Sequence, residues 1–272
     1  MAACGSLTLL LLFLLSSWQT AHAETKHDQQ FGHLRGRFVY DGPPPERKRI
    51  EITADRDALG DVELFDESLV VHPRNGGIAN ICVWMYRKRG EDPPPMHPSH
   101  ELNPDMDKDV VTRTMTARRG RFEPHVLLVR TGERVAFKNG GRIAYNAKID
   151  VAQNLPIGPL IPPSAELTYT YDKPERLPCR VSCNIHAWMQ AYVIIQDHPY
   201  MAVTDANGNF EIKNIPTGEW TFQFWHEKAG YIRELTIDDT PIEWPRGRAT
   251  FKIGPMPTDL GMMKLSAEHF VE

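Results

Sequence analysis

The stretch PCRVSCNIHAWMQAYV, residues 178–193, places two cysteines, a histidine and a methionine within eleven positions. Before it, residues 167–171 alternate between larger apolar side chains and threonine, and after it residues 191–197 read AYVIIQD. Both segments have the pattern of β-strands, whose successive side chains point to opposite faces of a sheet. The sequence therefore predicts that residues 183–189 form a tight connection at the end of a sheet.

Three side chains in this connection have the chemistry of metal ligands. Cys183, His186 and Met189 follow the spacing C-x2-H-x2-M, so a curled loop can bring a thiolate, an imidazole and a thioether to one point. Such soft donors favour copper over magnesium or calcium. The spacing therefore indicates a possible copper site, with Cys179 as a possible additional ligand.

The rest of the chain indicates an all-β fold. Residues 133–138 (ERVAFK) and 220–225 (WTFQFW) alternate with period two, as half-buried strands do. Turn-forming clusters separate such segments, among them DGPPPE at 41–46 and EDPPP at 91–95. The 22 prolines also fit strands and turns better than helices. Any helix should be short, and we expect it within residues 43–61.

The composition and the N-terminal segment of the chain indicate where the protein is located and which classes of partner it does not bind. The formal net charge is −4 with both signs scattered along the chain, which argues against nucleic-acid binding and against a polybasic membrane patch. Residues 1–23 read as a cleaved secretory signal, and no later segment approaches the roughly 20 apolar residues of a membrane span. We expect an exported protein, periplasmic or secreted, whose mature chain has no membrane span.

Two sequence resemblances sharpen this interpretation. Residues 123–197, and above all CNIHAWM, resemble the cupredoxins, copper proteins with the Greek-key β-sandwich of plastocyanin and azurin. Residues 196–231 (QDHPYMAVTDANGNFEIKNIPTGEWTFQFWHEKAGY) are similar to the carboxypeptidase regulatory-like, or transthyretin-like, β-sandwich. The combination looks closest to a bacterial exported subgroup of cupredoxin-like proteins.

The cupredoxin resemblance implies a ligand set. Cys183 would be the thiolate ligand, His186 an imidazole ligand and Met189 a weak axial ligand. A further histidine normally follows the strand that resembles RVAFKN, but here Tyr145 occupies that position. The Tyr145 phenol is a possible additional ligand, and His125 is an alternative source of the second imidazole.

Several interpretations of the cysteines stay open at this point. The mature chain keeps Cys82, Cys179 and Cys183, and an odd number leaves at least one thiol without a disulfide partner in the chain. The loop could hold one copper ion, or it could be retained for its packing in a cupredoxin that binds no metal. Cys179 and Cys183 could instead form a disulfide, or a dinuclear copper centre, although C-x3-C-x2-H-x2-M is one residue shorter than the dinuclear motif of terminal oxidases.

We therefore predict an all-β protein with a cupredoxin-like Greek-key β-sandwich and a second, transthyretin-like β-sandwich. Residues 24–110 would form an N-terminal β region with a proline-rich loop, and this region could share strands with the C-terminal sandwich. Residues 111–198 would be the cupredoxin-like domain and residues 199–272 the regulatory-like sandwich. Common hydrolase, metalloprotease and nucleotide-binding motifs are missing from the sequence. We expect a non-enzymatic copper protein for electron transfer or copper handling, with a redox partner protein, or else a metal-free interaction module.

Overall fold

The computed structural model describes Met1, residues 29–100 and residues 111–271, and strands dominate these parts. The predicted all-β class is confirmed. The predicted signal peptide, apart from Met1, lies outside the described residues, as do residues 101–110 of the proline-rich region. Among the helices of the described segments, none combines the length and the apolar character needed to cross a bilayer.

The N-terminal region contributes two strands and two short helical segments. The strands are β1 (Phe31–Asp41) and β2 (Cys82–Met85). Helix α1 (Arg56–Leu59) lies within the range where the sequence predicts a short helix, and a 3-10 helix covers Pro98–His100.

The middle of the chain forms a sandwich, here called the central sandwich and defined as β3 to β12. Its strands in chain order are β3 (Thr112–Arg118), β4 (Arg121–Glu123), β5 (Val126–Arg130), β6 (Arg134–Asn139), β7 (Tyr145–Asn146), β8 (Lys148–Ile149), β9 (Leu160–Ile161), β10 (Glu166–Thr170), β11 (Cys179–Ser182) and β12 (Gln190–Gln196). One sheet has the order β10-β6-β3-β4 and the other β5-β12-β11-β8, while β7 pairs with β9. The pairs β3–β6 and β5–β12 are parallel.

The remaining strands and the two N-terminal strands form a second sandwich, here called the flanking sandwich. Its further strands are β13 (Met201–Val203), β14 (Asn209–Pro216), β15 (Gly218–His226), β16 (Gly230–Tyr231), β17 (Glu234–Ile237), β18 (Thr240–Glu243), β19 (Arg248–Ile253) and β20 (Thr258–Ser266). Two 3-10 helices cover Pro245–Gly247 and Ala267–Phe270. One sheet has the order β14-β1-β20-β17-β18, and the other has β13-β2-β15-β16 with β19 also on β15. The N-terminal region therefore lends β1 and β2 to the sheets of the C-terminal part. The domain boundaries themselves stay a prediction.

Each sandwich has its own apolar core, and a third apolar cluster joins the two. This joining cluster contains Cys82 and Trp84 of β2, Val126 of β5 and Ile194 of β12, all buried. Burying a large apolar side chain contributes about 1.5–3 kcal/mol, so this cluster helps to hold the two sandwiches together. Cys82 is completely buried in this cluster.

A long excursion between β1 and β2 covers one end of the central sandwich. Residues 48–66 form an irregular hairpin, here called the cap hairpin, in which the Ile50 N–H donates to the Leu64 carbonyl and the Asp66 N–H to the Lys48 carbonyl, both at 2.8 Å. Helix α1 lies at its tip, and Leu64 is 2 % exposed. The cap hairpin packs on the end of the central sandwich where β11 is connected to β12, because Asp55 at its tip contacts His186 of that connection.

Candidate metal centre

The segment Cys183 to Met189 is the connection between β11 and β12, as the sequence predicts. Its backbone closes on itself, because the Met189 N–H donates to the His186 carbonyl at 2.9 Å and the Cys183 N–H donates to the Met189 carbonyl at 3.4 Å. A short connection with such internal hydrogen bonds holds its side chains in fixed directions. The predicted ligand residues therefore lie on a compact loop at the rim of the central sandwich.

Cys183 and His186 converge inside this loop. The sulfur of Cys183 lies 3.5 Å from Nδ1 of His186, and the His186 backbone N–H donates to the same sulfur at 3.4 Å. Both side chains are buried, with Cys183 3 % and His186 0 % exposed. The structure thus brings together the thiol and the imidazole that the spacing predicts.

The separation of the two atoms fits a shared metal ion. A cysteine sulfur and a histidine nitrogen that bind one tetrahedral zinc ion lie roughly 3.5 Å apart, given bond lengths of about 2.3 and 2.0 Å. The thiolate is the metal-binding form of cysteine. The Cys183 sulfur also receives the backbone N–H of His186. The distance and the donor types therefore suit a soft ion such as copper.

Met189 and Trp188 complete the loop on its β12 side. Met189 is 1 % exposed and belongs to the core of the central sandwich. The indole N–H of Trp188 donates to the Gly120 carbonyl at 3.0 Å, which fixes the loop against the turn between β3 and β4. The Met189 thioether would therefore bind a metal ion from a position packed within the core of the central sandwich.

Tyr145 lies beside the loop, where the missing second histidine is expected. Its ring centroid is 5.1 Å from that of His186, and its hydroxyl accepts the Gly120 N–H at 3.4 Å. Burial raises the pKa of Tyr145; the Gly120 hydrogen bond opposes this rise, and electrostatic interaction with the neighbouring Cys183 and Asp55 adds to it. The phenol is therefore neutral at physiological pH, which makes it a weak ligand.

A hydrogen bond ties the strand of Tyr145 to the loop. The Asn184 backbone N–H donates to Oδ1 of Asn146 at 2.6 Å. Asn146 follows Tyr145 in β7 and is buried. The position of Tyr145 relative to Cys183 and His186 is thus set by the neighbouring asparagine.

Asp55 at the tip of the cap hairpin is a site residue that the sequence analysis missed. Its Oδ2 lies 3.0 Å from Nε2 of His186, across 131 positions of sequence. Its backbone adopts the left-handed conformation, with φ at 52°. No local pattern marks Asp55, because its role depends on where the cap hairpin packs.

Cys179 lies outside the loop cluster. Its thiol is free and donates to the Leu177 carbonyl at 3.6 Å. Burial raises the pKa of this thiol to about 12, and the charges of Glu175 and Asp150 add to the effect. Cys183 lies four residue steps after Cys179 along an extended strand, which separates the two cysteine backbones by about 13 Å. The structure therefore brings Cys179 neither to a disulfide with Cys183 nor to a shared dinuclear centre.

His125, the alternative second imidazole, is engaged elsewhere. Its Nε2 lies 2.8 Å from Oε1 of Glu227, and its Nδ1 lies 3.9 Å from Glu67. The sequence does not predict this pairing with Glu227 of the flanking sandwich, because the two residues are 102 positions apart. In the ranges that the structure describes, no three His, Cys, Asp or Glu side chains form a metal-binding group, so the candidate centre depends on Met189 and Tyr145 in addition to Cys183 and His186.

Comparison with known proteins gave structural matches alone. No protein-family profile matches the chain, and no curated protein matches it. A copper-containing nitrite reductase from Thermus scotoductus SA-01 is 21% identical over 38% of this chain and 25% of its own chain, with a TM-score of 0.29. An oxidised amicyanin variant is 16% identical over 34% of this chain and 88% of its own, with a TM-score of 0.28. A purple cupredoxin from Nitrosopumilus maritimus is 12% identical over 32% of this chain and 99% of its own, with a TM-score of 0.27. The match thus spans a quarter of the nitrite reductase chain.

Proposed function

We propose that this protein binds one copper ion in the loop between β11 and β12 and serves in electron transfer or copper handling. The observation that carries the proposal is the 3.5 Å approach of the Cys183 sulfur to Nδ1 of His186 within a buried loop. Copper is preferred over other ions because the set consists of a thiolate, an imidazole and a thioether. The protein is proposed to be exported, periplasmic or secreted, and to act without catalysis of its own.

Each residue has a distinct part in the proposed centre. Cys183 and His186 Nδ1 would hold the ion, and Met189 would be a weak ligand from the same loop. When bound, copper supplies a group that can take up and release one electron. Tyr145 borders the centre with a neutral phenol, so the ligand set differs from a site with two imidazoles.

Two exposed apolar side chains mark the rim where a redox partner protein could dock. Ile185, next to His186, is 41% exposed, and Leu160 of β9 is 57% exposed. Leu160 pairs with Asn146, which in turn binds the backbone of Asn184 in the loop. Electron-transfer complexes bury small areas, so a few apolar contacts of this kind suffice. The flanking sandwich, proposed to be regulatory-like, would serve as a rigid support.

A second candidate function is a metal-free interaction module with the same fold. The favouring observation is that His186 is satisfied on both sides, since Nδ1 faces the Cys183 sulfur and Nε2 faces Asp55. A buried polar group that has its hydrogen bonds needs no metal to stabilise it. Position 145 also lacks the imidazole that a typical cupredoxin site uses.

Copper titration of the purified protein distinguishes the two functions. We expect Cu(II) to produce intense thiolate-to-copper absorption with one equivalent bound, and Cys183→Ser to abolish this absorption. Cys179→Ser is the matched control, because it removes a buried thiol of the same sandwich outside the loop cluster. A folded protein that stays colourless and binds no copper would support the metal-free module instead.

A further inference from the structure

We infer that Asp55 is a positioning residue for His186: its carboxylate holds the imidazole with the proton on Nε2 and turns Nδ1 towards the Cys183 sulfur. The relevance of this arrangement to copper rests on the proposed function. The hydrogen bond itself belongs to the metal-free protein and can be tested without copper.

The first support is the geometry of the contact. Oδ2 of Asp55 lies 3.0 Å from Nε2 of His186, and Nδ1 on the opposite side of the ring lies 3.5 Å from the Cys183 sulfur. An ionised carboxylate only accepts hydrogen bonds, so Nε2 must donate. A neutral imidazole carries one proton, and its Nδ1 lone pair is then directed at the sulfur.

The second support is the burial of the ring. The side chain of His186 is 0% exposed, whereas that of Asp55 is 44% exposed. Leaving a buried N–H without a hydrogen-bond partner is energetically costly, so the contact with Asp55 constrains the orientation of the His186 ring.

The third support is the backbone at Asp55. Its φ of 52° is left-handed, a conformation that costs most residues energy and that aspartate, asparagine and glycine tolerate best. Helix α1 begins at the next residue, yet the Asp55 side chain makes no capping hydrogen bond to it. The side chain is directed to His186 instead of satisfying the adjacent helix.

The arrangement matches a general feature of metal sites. A histidine that binds a metal through one ring nitrogen usually donates the other N–H to a carboxylate or carbonyl, and loss of that partner typically lowers metal affinity about 10–100-fold. In this protein the carboxylate comes from a remote segment that also covers the imidazole. Asp55 therefore couples the cap hairpin to the geometry of the proposed ligands.

The test uses Asp55→Gly, which removes the carboxylate while keeping a residue that tolerates positive φ. Asp238→Gly is the matched control, because Asp238 is also exposed and left-handed, with φ at 48°, but lies in the turn between β17 and β18. Asp55→Asn keeps an acceptor oxygen and the tolerance for this backbone, so it should rescue much of the effect.

The first readout is the ring N–H proton signal of His186 in the metal-free protein with labelled histidine, assigned with His186→Gln. We expect a slowly exchanging Nε2–H signal in wild type, Asp238→Gly and Asp55→Asn, and its loss through fast exchange in Asp55→Gly. An unchanged signal and exchange rate in Asp55→Gly would overturn the inference.

The second readout is copper affinity by competition with a chelator. We expect a loss of at least tenfold in Asp55→Gly with Asp238→Gly unchanged, and an affinity within twofold of wild type would also overturn the inference. If wild type itself binds no copper, the proposed function fails, and the ring proton signal alone decides the role of Asp55.

Discussion

His125 and Glu227 join the two sandwiches through an imidazole–carboxylate contact of 2.8 Å between residues 102 positions apart. The two side chains are only 10% and 4% exposed. The Gln190 side-chain amide donates to the other carboxylate oxygen at 3.0 Å, and Glu67, just after the cap hairpin, approaches the second ring nitrogen of His125 at 3.9 Å. One imidazole thus links the central sandwich, the flanking sandwich and the segment that follows the cap hairpin.

The first prediction is that His125 stabilises the fold most at mildly acidic pH. Burial alone would lower the pKa of His125, but the hydrogen bond and charge of Glu227, together with the charges of Glu67 and Asp66, raise it above its usual value. A histidine whose pKa is raised by folding contributes its full stability below the unfolded value of about 6.5 and loses it as the pH rises through the folded value.

The measurement is the free energy of unfolding of wild type and His125→Gln by urea between pH 5.5 and 8.5, values chosen to bracket the imidazole range. We expect the difference between the two proteins to be largest near the acidic end and to shrink towards pH 8.5. A difference that is constant, or that grows with pH, would show that His125 is not charged in its contact with Glu227.

The second prediction concerns acid destabilisation by two other buried histidines. Burial lowers the pKa of His198 to about 4 and that of His226 to about 3. His198 is completely buried, and its Nε2 lies 3.0 Å from the Met85 carbonyl. Below about pH 6.5 these histidines bind protons in the unfolded chain but not in the folded protein. Each of them therefore lowers the free energy of unfolding by about 1 kcal/mol for each unit by which the pH falls.

This effect should be visible as a steeper fall in the free energy of unfolding from pH 6.5 to pH 4 in wild type than in His198→Gln. The glutamine can still donate to a carbonyl but does not titrate. Equal slopes in both proteins over this range would mean that His198 is protonated in the folded state.

The third prediction is that Gly120→Ala destabilises both the fold and the loop. Gly120 has φ at +76°, and a Cβ there would lie 2.9 Å from Cδ1 of Leu64 in the cap hairpin. Its backbone also binds the Tyr145 hydroxyl and the Trp188 indole. We expect a loss of about 2–3 kcal/mol, combining backbone strain and the steric clash.

Gly261→Ala is the control for the strain alone. Its φ is +67°, and nothing lies within 4 Å of a Cβ at that position. We expect a loss of about 1 kcal/mol in thermal or urea unfolding. Similar losses in the two variants would mean that the cap hairpin moves aside at Gly120 at little energetic cost.

The fourth prediction is that Tyr145→His strengthens copper binding. The substitution places a second imidazole beside His186, whose ring centroid is 5.1 Å from that of Tyr145, and an imidazole is a better copper ligand than a neutral phenol. We expect tighter binding and stronger thiolate-to-copper absorption than in wild type. Tyr145→Phe, which removes only the hydroxyl, should give no gain.

If Tyr145→His folds but binds copper no better than wild type, the side chain at position 145 does not reach the ion. The thermal unfolding of each variant should be recorded alongside, because the smaller imidazole leaves part of a fully buried site unfilled.

Local sequence patterns were enough to predict much of the fold. The period-two alternation of residues 133–138 corresponds to β6, and the connection at residues 183–189 lies between β11 and β12 as expected. The spacing of residues within the loop was also enough to predict that Cys183 and His186 lie close together. These features depend on residues close in sequence, whose side-chain directions follow from strand geometry.

Contacts between distant segments were not predictable in this way. Asp55 reaches His186 because the cap hairpin folds over the end of the central sandwich, and Glu227 reaches His125 because two separate sandwiches pack together. Neither partner stands in a pattern that local spacing could reveal. The exclusion of Cys179 likewise depends on β11 being extended, which carries the Cys179 thiol away from the loop.

Copper binding by Cys183 and His186 is tested most directly by an anomalous diffraction map, recorded at the copper absorption edge, of crystals grown with one equivalent of copper. We predict a single strong peak within bonding distance of both the Cys183 sulfur and Nδ1 of His186, and no such peak in Cys183→Ser. A peak bound to other residues, or a loop that carries no copper in wild-type crystals, would contradict this prediction.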